Sequence, residues 1–263
     1  MGIISWRSRE PADWHGYLTQ FHRDHVGAIE EILQRCMSGG RTPYSWLARA
    51  VAESCTTVLD IACGTGAVGR ELTRPGRTVL GVDMSGHELA EAQRRNPDGV
   101  FLRADARRLP LADNSMPAVV SSFGFAVVRP MPVLAREVER VLAPGGIVAI
   151  ISPALHSLRP HDIPAISKLA GALHSRPYLP HQQPRGVLTG LFAARGIRKV
   201  EDARERYTYT INDREDAERL LEAMYLPGVA AARIGTAVDS LARSAARRPV
   251  EVTIPMRRFV GIK

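Results

Sequence analysis

The sequence predicts a doubly wound α/β fold built on a largely parallel sheet. Two observations carry this prediction. Short apolar runs alternate with amphipathic helices from residue 57 onward, and the first of these runs ends in a glycine-rich turn. Strands that are buried on both faces of a sheet appear as continuous apolar runs, and the helices between them supply right-handed crossovers. The length of 263 residues suits one elaborated domain.

The predicted elements begin with helices and continue with five strands. Residues 26–37 place three apolar side chains on one helical face, and Thr42 with Pro43 forms an N-cap and a first-turn proline for the next helix. These helices precede the sheet. The predicted strands cover residues 58–62, 78–83, 100–102, 118–122 and 147–152, and the predicted helices between them cover residues 67–73, 88–95 and 133–142.

After the fifth strand we expect the regular alternation to break. Residues 156–184 are rich in His and Pro and are predicted to be irregular. Asn212, with Glu215 three positions later, forms a capping box for a late helix, and Pro255 is expected to split the last strand. The other predicted elements are a helix at residues 187–194, a strand at 197–211, helices at 212–225 and 229–247, and strand pieces at 250–254 and 258–262.

The composition is that of an ordinary globular protein and excludes several classes. No stretch has the apolar length of a membrane-crossing helix, and residues 1–11 lack the apolar core of a secretion signal, so we expect a cytoplasmic protein. The three cysteines form no CxxC pair, which argues against a disulfide framework and against a metal site. The net charge of +8 raises the question of an RNA substrate, although lysine occurs only at Lys168, Lys199 and Lys263, and part of the charge reflects a coding preference for arginine.

The most informative stretch is the glycine-rich turn after the first predicted strand. Such a turn lets the backbone approach a ligand, and the next helix offers unpaired N–H groups. Gly64, Gly66 and Gly69 satisfy the dinucleotide fingerprint, and Asp83 ends the next strand, where a ribose-binding acid is expected. Asp60 separates the two interpretations, because a carboxylate just before the turn would repel a pyrophosphate and would attract a cationic amino acid.

The sequence from this turn onward resembles a known family. Residues 59–66, 81–85, 104–111 and 121–123 resemble, in order and on the expected elements, the motifs of class I S-adenosylmethionine-dependent methyltransferases, and residues 137–146 resemble the helix and turn before that family's fifth strand. Together the similar stretches cover about residues 57–153. The resemblance implies a seven-stranded Rossmann-like sheet of order 3-2-1-4-5-7-6 with an antiparallel last strand. It also implies S-adenosyl-L-methionine as the cofactor.

The resemblance further implies one domain with three parts and a set of binding residues. Residues 1–55 would form a helical cover, residues 56–152 the cofactor-binding core, and residues 153–263 the substrate-side cover with the last two strands. In this family the second acid binds the ribose hydroxyls and the third acid binds the adenine amino group. The cofactor-binding residues implied in this way are Asp60, Ala62, Gly64, Gly66, Asp83, Met84, Asp105, Ala106 and Ser122.

Methyl transfer to a small molecule is the function that the resemblance implies, and tailoring enzymes of bacterial secondary metabolism are the most similar kind. The methylated atom, which could be oxygen, nitrogen, sulfur or carbon, stays open, as does the oligomeric state. An in-line displacement mainly requires alignment, and a base helps when the acceptor must lose a proton. The family often has an Asp at the position of Pro117 and a His after the fourth strand, and this chain has neither. The candidates for catalytic roles are His22, His156 and Tyr178, and the other histidines considered as a base are His25, His161, His174 and His181.

Three alternatives remain beside this interpretation. Part of the late region, including residues 207–221, is loosely similar to ribosomal RNA guanine-N1 methyltransferases, but their cysteine-rich zinc module is absent from this chain. An NAD(P)-dependent reductase would bind a pyrophosphate at the glycine turn. A non-enzymatic binding module on the same fold is the third alternative, since fold alone does not decide function.

Overall fold

The central element is a seven-stranded sheet, seen in a computed structural model that describes residues 10–154, 160–175, 177–178 and 186–263. Its strands are β1 (Thr57–Ile61), β2 (Thr78–Asp83), β3 (Val100–Arg103), β4 (Met116–Ser122), β5 (Leu142–Pro153), β6 (Arg198–Ile211) and β7 (Val250–Ile262). The order is β3-β2-β1-β4-β5-β7-β6, with parallel pairing up to β5 and with β7 antiparallel to both of its neighbours. The predicted fold, strand order and antiparallel last strand are confirmed.

Helices precede the sheet, connect its strands and cover its faces. Within the described residues they are α1 (Trp14–Asp24), α2 (Ala28–Arg35), α3 (Pro43–Ala48), α4 (Ala67–Leu72), α5 (Gly86–Arg95), α6 (Gly124–Val127), α7 (Met131–Val141), α8 (Ile163–Leu173), α9 (Val187–Ala193), α10 (Arg214–Glu222) and α11 (Ala231–Ala245). The first three therefore form the helical cover that was expected before the sheet.

Side chains of β1 alternate between two apolar clusters, one on each face of the sheet. Val58 packs in a cluster with residues of α2, α3, α4, α8, α10 and α11, whereas Leu59 and Ile61 pack with residues of α7 and α9. Burying one such side chain contributes about 1.5–3 kcal/mol. Coverage of both faces explains why the central strands appear in the sequence as continuous apolar runs.

Local capping signals agree with the structure at two helices and differ at a third. Thr42 caps α3, its hydroxyl accepts the backbone N–H of Ser45, and Pro43 is the first helical residue, as predicted. Ser85 caps α5 in the same way. The cap of α10 is Asp213 rather than the predicted Asn212, because the Asp213 carboxylate accepts the backbone N–H three residues later.

Two further expectations about the second half were wrong. The stretch expected to be irregular contains α8, an eleven-residue helix with a proline in its first turn. The last strand is continuous through Pro255 instead of being split there. In register, β7 pairs with β5 from Met256 onward, and the carbonyl of Pro255 accepts the backbone N–H of Ala154 just beyond β5, so Pro255 lies where this ladder ends.

The described part of the chain contains neither a candidate membrane-spanning helix nor a cluster of metal-ligating side chains. None of its helices combines the length and the apolar character that crossing a bilayer requires. Nowhere in the same ranges do three or more His, Cys, Asp or Glu side chains converge as metal ligands would.

Candidate functional site

The turn that follows β1 is built around two glycines. Gly64 and Gly66 have φ angles of +53° and +80°, in the left-handed region, and Gly66 immediately precedes α4. A Cβ atom on Gly66 would lie 3.3 Å from the ring of Phe101, so a side chain there would strain the backbone and displace that ring. The turn thus brings bare backbone to the carboxyl edge of the sheet, where ligands of open α/β sheets bind.

Asp60 lies on β1 just before this turn and has a buried, unsatisfied carboxylate. Its residue exposure is 1%, and neither carboxylate oxygen has a hydrogen-bond partner among the described residues. Burial, reinforced by the negative charge of Asp83, raises the pKa of Asp60 well above its usual range. A buried polar group left without a partner costs about 1–3 kcal/mol, and more when it is charged. The carboxylate lines a cavity, so this arrangement fits a ligand that carries a cation.

Asp83, at the end of β2, holds the glycine turn. One carboxylate oxygen accepts the backbone N–H of Gly64 at 2.9 Å, and the other accepts that of Ser85 at 2.9 Å. An ionised carboxylate has about four acceptor positions, so two remain for the hydroxyl groups of a ligand. Asp83 therefore supports the turn and offers acceptors to the space beside it.

A cavity of about 1220 Å³, here called the adenosine-side cavity, extends from Asp83 toward β3 and α1. Met84, Asp105 and Ala106 lie along it. Asp105 accepts the backbone N–H of Arg107 at 2.9 Å and forms an ion pair with its guanidinium at 2.6 Å. The hydrogen bond from the Arg107 side chain is the main cause of a lowered pKa of Asp105. This carboxylate is thus a charged, oriented acceptor on the wall of the adenosine-side cavity.

A second cavity of about 600 Å³, here called the methionine-side cavity, lies over the carboxyl ends of β1 and β4. Ser122 and Phe123 line it at the end of β4, and Tyr44 lines it from α3. Ala62 and Phe123 have φ angles of +55° and +65° although neither is glycine. Such conformations cost about 1–3 kcal/mol and concentrate at functional sites. The residues that line both cavities, and so mark their junction, are His22, Ala62, Asp83 and Val127.

Helix α1 places His22 over this junction. The Nδ1 atom of His22 lies 2.8 Å from a carboxylate oxygen of Glu88, and its Nε2 atom lies 3.1 Å from the hydroxyl oxygen of Tyr225. Glu88, on α5, is buried and also accepts the backbone N–H of Gly27. Complete burial raises the pKa of Tyr225, so its hydroxyl keeps its proton at ordinary pH.

A second buried carboxylate joins the helical cover to the glycine turn. Glu30, on α2, is 5% exposed and accepts a hydrogen bond from the hydroxyl of Thr65, inside the turn. Arg95 forms an ion pair with the same carboxylate at 2.6 Å, and Arg70 forms another. The sequence interpretation missed Glu30, although a Glu beside the apolar positions of an amphipathic helix is a usable signal for a buried partner.

Of the nine predicted cofactor-binding residues, the structure places eight along the two cavities. The exception is Gly66, which lines neither cavity and lies against the ring of Phe101. Asp60, Gly64 and Ser122 lie at the methionine-side cavity, Met84, Asp105 and Ala106 at the other, and Ala62 with Asp83 at the junction.

The three catalytic candidates fall in different places. His22 faces both cavities. Tyr178 packs edge-on against Trp14, with its hydroxyl bonded to the guanidinium of Arg129, and it is not among the residues that line either cavity. His156 lies outside the described residues, as do His181 and the side chain of His161. The sequence interpretation assigned Glu88 no role at this site.

Comparison with protein families gives one match to the core. A family model described as "Methyltransferase domain" matches residues 59–150, the stretch from β1 to the centre of β5. This stretch contains Asp60, Asp83, Asp105 and the glycine turn.

Curated relatives and solved structures extend the match. A demethylmenaquinone methyltransferase of Beutenbergia cavernae is 43% identical over 93 residues, which are 35% of this chain and 39% of that protein. A malonyl-(acyl-carrier protein) O-methyltransferase of Pectobacterium atrosepticum is 33% identical over 135 residues, 51% of this chain and 53% of that protein, so the chain spans about half the length of these relatives or less. A demethylmenaquinone methyltransferase of Thermus thermophilus is 32% identical over 176 residues, which are 62% of this chain and 75% of that protein.

Two solved structures share the fold at low sequence identity. The YcgJ protein from Bacillus subtilis has a TM-score of 0.58 and 17% identity, over 83% of this chain and 96% of its own. A phosphoethanolamine N-methyltransferase 2 from Haemonchus contortus, in complex with phosphomonomethylethanolamine and S-adenosylhomocysteine, has a TM-score of 0.58 and 19% identity, over 96% of this chain and 60% of its own.

Proposed function

We propose that this chain, which belongs to the class I S-adenosylmethionine-dependent methyltransferases, transfers a methyl group from S-adenosylmethionine to a small organic molecule. The observation that carries the proposal is the pair Asp60 and Asp83 around the glycine turn. Asp60 is buried with no partner for its carboxylate among the described residues, and Asp83 keeps two acceptor positions beside the turn. One carboxylate suits the α-ammonium group of the cofactor, and the other suits its ribose hydroxyls.

The residues along the two cavities would divide the cofactor between them. Asp60, Gly64 and Ser122 would hold the amino-acid portion, and Asp83 the ribose. In the adenosine-side cavity the apolar Met84 and Ala106 would lie against the ring, and Asp105 would accept from the exocyclic amino group. When bound, the sulfonium supplies an already activated methyl group, so the protein's part is mainly alignment.

A pyrophosphate at the same turn is disfavoured by charge. A dinucleotide would bring negative charge beside Asp60 and Asp83, neither of which forms an ion pair with a cation in the described residues. Like charges a few ångströms apart in a buried site repel strongly. This argues for the methyltransferase interpretation over the reductase.

A small acceptor is supported by the elements that wall the methionine-side cavity. The helices α1, α2 and α3 and the segment around Tyr225 all contribute residues to this wall. Demethylmenaquinone, named for two of the relatives, is a small molecule, which is consistent with this class of acceptor. We further propose that the acceptor is a secondary metabolite. We also propose that His22, at the junction of the cavities, contributes to activation of this acceptor.

Two experiments test this function. Isothermal titration with S-adenosylhomocysteine and with NADP separates the cofactors, and tight binding of NADP alone would reject the proposal. Incubation with methyl-labelled S-adenosylmethionine, a panel of phenols, carboxylic acids, amines and thiols, and total RNA then identifies the acceptor class. Label in small molecules supports the proposal, and label in RNA alone would favour the RNA methyltransferase instead.

A further inference from the structure

Glu88 lies where a capping residue belongs, but its side chain serves another partner. It is in the first turn of α5, where its backbone N–H is accepted by the Ser85 hydroxyl. In a capping box the Glu side chain would return to the N-cap backbone. Here it turns to α1 instead, where it contacts Nδ1 of His22 at 2.8 Å, and it is 4% exposed. A buried carboxylate aimed at a histidine 66 positions away points to a role beyond helix capping.

The contact with Glu88 selects one form of the His22 ring. The carboxylate oxygen that faces His22 also accepts the backbone N–H of Gly27 at 3.4 Å, and an ionised carboxylate offers only acceptors to both groups. Nδ1 must then carry the ring proton, and in the neutral ring Nε2 must be the acceptor. The partner of Nε2 is the hydroxyl of Tyr225, which therefore donates its proton to His22.

Tyr225 lines the methionine-side cavity, and its hydroxyl oxygen has one hydrogen-bond partner among the described residues, Nε2 of His22. The Tyr225 ring is fixed among aromatic side chains, including Phe21 at a centroid distance of 4.5 Å and Trp14 at 5.6 Å. Tyr225 and His22 both line the methionine-side cavity together with Asp60. Proton donation to Nε2 uses the hydrogen of Tyr225, so its oxygen can accept another hydrogen from a ligand in that cavity.

We propose, as a step that rests on the proposed function, that Tyr225 and His22 form a proton relay oriented by Glu88, and that the relay selects acceptors with a hydroxyl group. As the acceptor O–H bond breaks, its electron pair forms the bond to the methyl carbon, and the carbon–sulfur pair leaves with sulfur. The released proton goes to the oxygen of Tyr225, and the proton of Tyr225 goes to Nε2 of His22. The Glu88 carboxylate then balances the imidazolium charge, so charge and atoms are conserved.

This relay explains why a hydroxyl acceptor is favoured over other classes. A neutral hydroxyl is a weak nucleophile that must lose a proton, whereas a thiolate or an uncharged amine attacks without a base. A tertiary amine has no proton to give to Tyr225. In this relay Glu88 is a positioning residue, while Tyr225 touches the acceptor.

The first test measures which ring nitrogen of His22 carries the proton, and it does not require catalytic turnover. Protein with ¹⁵N-labelled histidine, saturated with S-adenosylhomocysteine, is studied by long-range ¹H–¹⁵N correlation, and His22 is assigned by its absence in His22→Gln. We expect the Nδ1–H form in the wild type and a mixed or Nε2–H form in Glu88→Gln. The matched control Glu91→Gln, one turn further on α5 and paired with Arg94 and Arg95, should leave the His22 signals unchanged. An Nε2–H form in the wild type overturns the relay.

The second test uses the acceptor panel of the proposed function. Because a general base contributes about 10²–10⁴-fold, we expect Glu88→Gln and Tyr225→Phe each to lower kcat about 10²-fold, with KM changed by no more than about twofold. The double variant should be no slower than the worse single variant, since both interrupt one relay. An acidic phenol such as 4-nitrophenol arrives ionised, so the defect should shrink for it, which a merely structural role would not produce.

The outcomes separate the two levels of inference. Failure to bind S-adenosylhomocysteine would reject the proposed function itself. Binding together with methyl transfer to sulfur, carbon or a tertiary amine would keep that function and overturn the relay. Wild-type kcat in Tyr225→Phe would overturn it as well.

Discussion

The carboxylate of Asp83 accepts the backbone N–H of Gly64 at 2.9 Å, and this bond ties the end of β2 to the glycine turn of β1. The two strands are neighbours in the sheet, in parallel register from Thr57 to Ile61. The acid that would bind the ribose therefore also fixes the backbone that would approach the rest of the ligand. Its removal affects both functions at once.

We expect Asp83→Ala to weaken binding of S-adenosylhomocysteine by about 10²-fold or more. Hydrogen bonds to charged groups contribute about 1.5–3 kcal/mol each, and about 1.4 kcal/mol corresponds to a factor of ten in affinity. Isothermal titration measures the change. Asp98→Ala removes an exposed acid after α5 and serves as the matched control. Wild-type affinity in Asp83→Ala would contradict the assigned role.

The buried carboxylate of Asp60 is expected to favour ligand binding and to lower the stability of the cofactor-free protein. We expect Asp60→Asn to raise the free energy of unfolding of the cofactor-free protein by about 1–3 kcal/mol, because a neutral amide replaces a carboxyl group whose ionisation the buried site opposes. The same change should lower the affinity for S-adenosylhomocysteine, whose ammonium group loses its partner. Thermal unfolding with and without ligand checks both effects. A variant that loses stability and keeps affinity would show that Asp60 has a purely structural role.

The raised pKa of Asp60 also predicts a pH effect of definite sign. In the unfolded chain this carboxyl ionises near 3.8, whereas in the folded protein it keeps its proton to higher pH. Between the two pKa values the folded state binds more protons, so its stability falls as pH rises through that window. Urea unfolding at a series of pH values should show this slope in the cofactor-free wild type. In Asp60→Asn the slope should be reduced.

Gly81, in the middle of β2, is predicted to tolerate no side chain. A Cβ atom there would lie 2.8 Å from the ring of Phe101 and 3.0 Å from the sulfur of Cys63. Overpacking of this kind costs about 1–3 kcal/mol, so Gly81→Ala should lower the unfolding midpoint, and Phe101→Leu in the same chain should restore part of the loss. Gly235→Ala in α11, with no atom within 4 Å, should instead be neutral or stabilising. Equal effects at both glycines would contradict this account.

An ion pair between β6 and β7, in which the arginine is buried, predicts acid sensitivity. Arg257 is 1% exposed, and its Nε lies 2.6 Å from a carboxylate oxygen of Asp202. The hydrogen bond from Arg257 lowers the pKa of Asp202, so its stabilising contribution is present above the unfolded value of 3.8 and is lost as pH falls below it. We expect Asp202→Asn to cost about 1.5–3 kcal/mol at neutral pH, the usual contribution of hydrogen bonds to charged groups, and less in acid.

The control for this prediction is an exposed pair. Asp239→Asn removes a partner of Arg214 on the surface, where such pairs contribute about 0–1 kcal/mol. Chemical unfolding of both variants at neutral and acidic pH provides the comparison. A loss in Asp202→Asn no larger than that in Asp239→Asn would show that burial does not strengthen the pair.

The strands of the core could be predicted because their environment leaves a mark in the sequence. Residues of β1, β4 and β5 are buried on both faces, so their apolar runs are continuous and end at turns. The α8 helix could not be predicted in the same way, because the composition around it is dominated by turn-forming residues. Its proline at position 164 lies in the first turn, where it does not interrupt a helix.

The three acids proposed to bind the cofactor could be identified from the sequence, whereas the proposed relay could not. Asp60, Asp83 and Asp105 each follow or end a strand, and the carboxyl ends of parallel strands meet at one edge of the sheet. The contact between His22 and Glu88 joins residues on two helices that only the tertiary fold brings together. A local pattern of Ser and Glu looks the same whether the Glu side chain returns to its own helix or reaches another.

The carboxylate of Glu30 bonds at once to Thr65 in the turn and to arginines of α4 and α5. The Glu30 carboxylate thus links the helical cover, proposed to lie over the acceptor, to the glycine turn, proposed to bind the methyl donor. Binding of the methyl donor at the turn should therefore also stabilise the helical cover. An acceptor that arrives before the donor would meet an incompletely formed binding site. We therefore expect ordered binding, in which S-adenosylmethionine binds first and S-adenosylhomocysteine dissociates last.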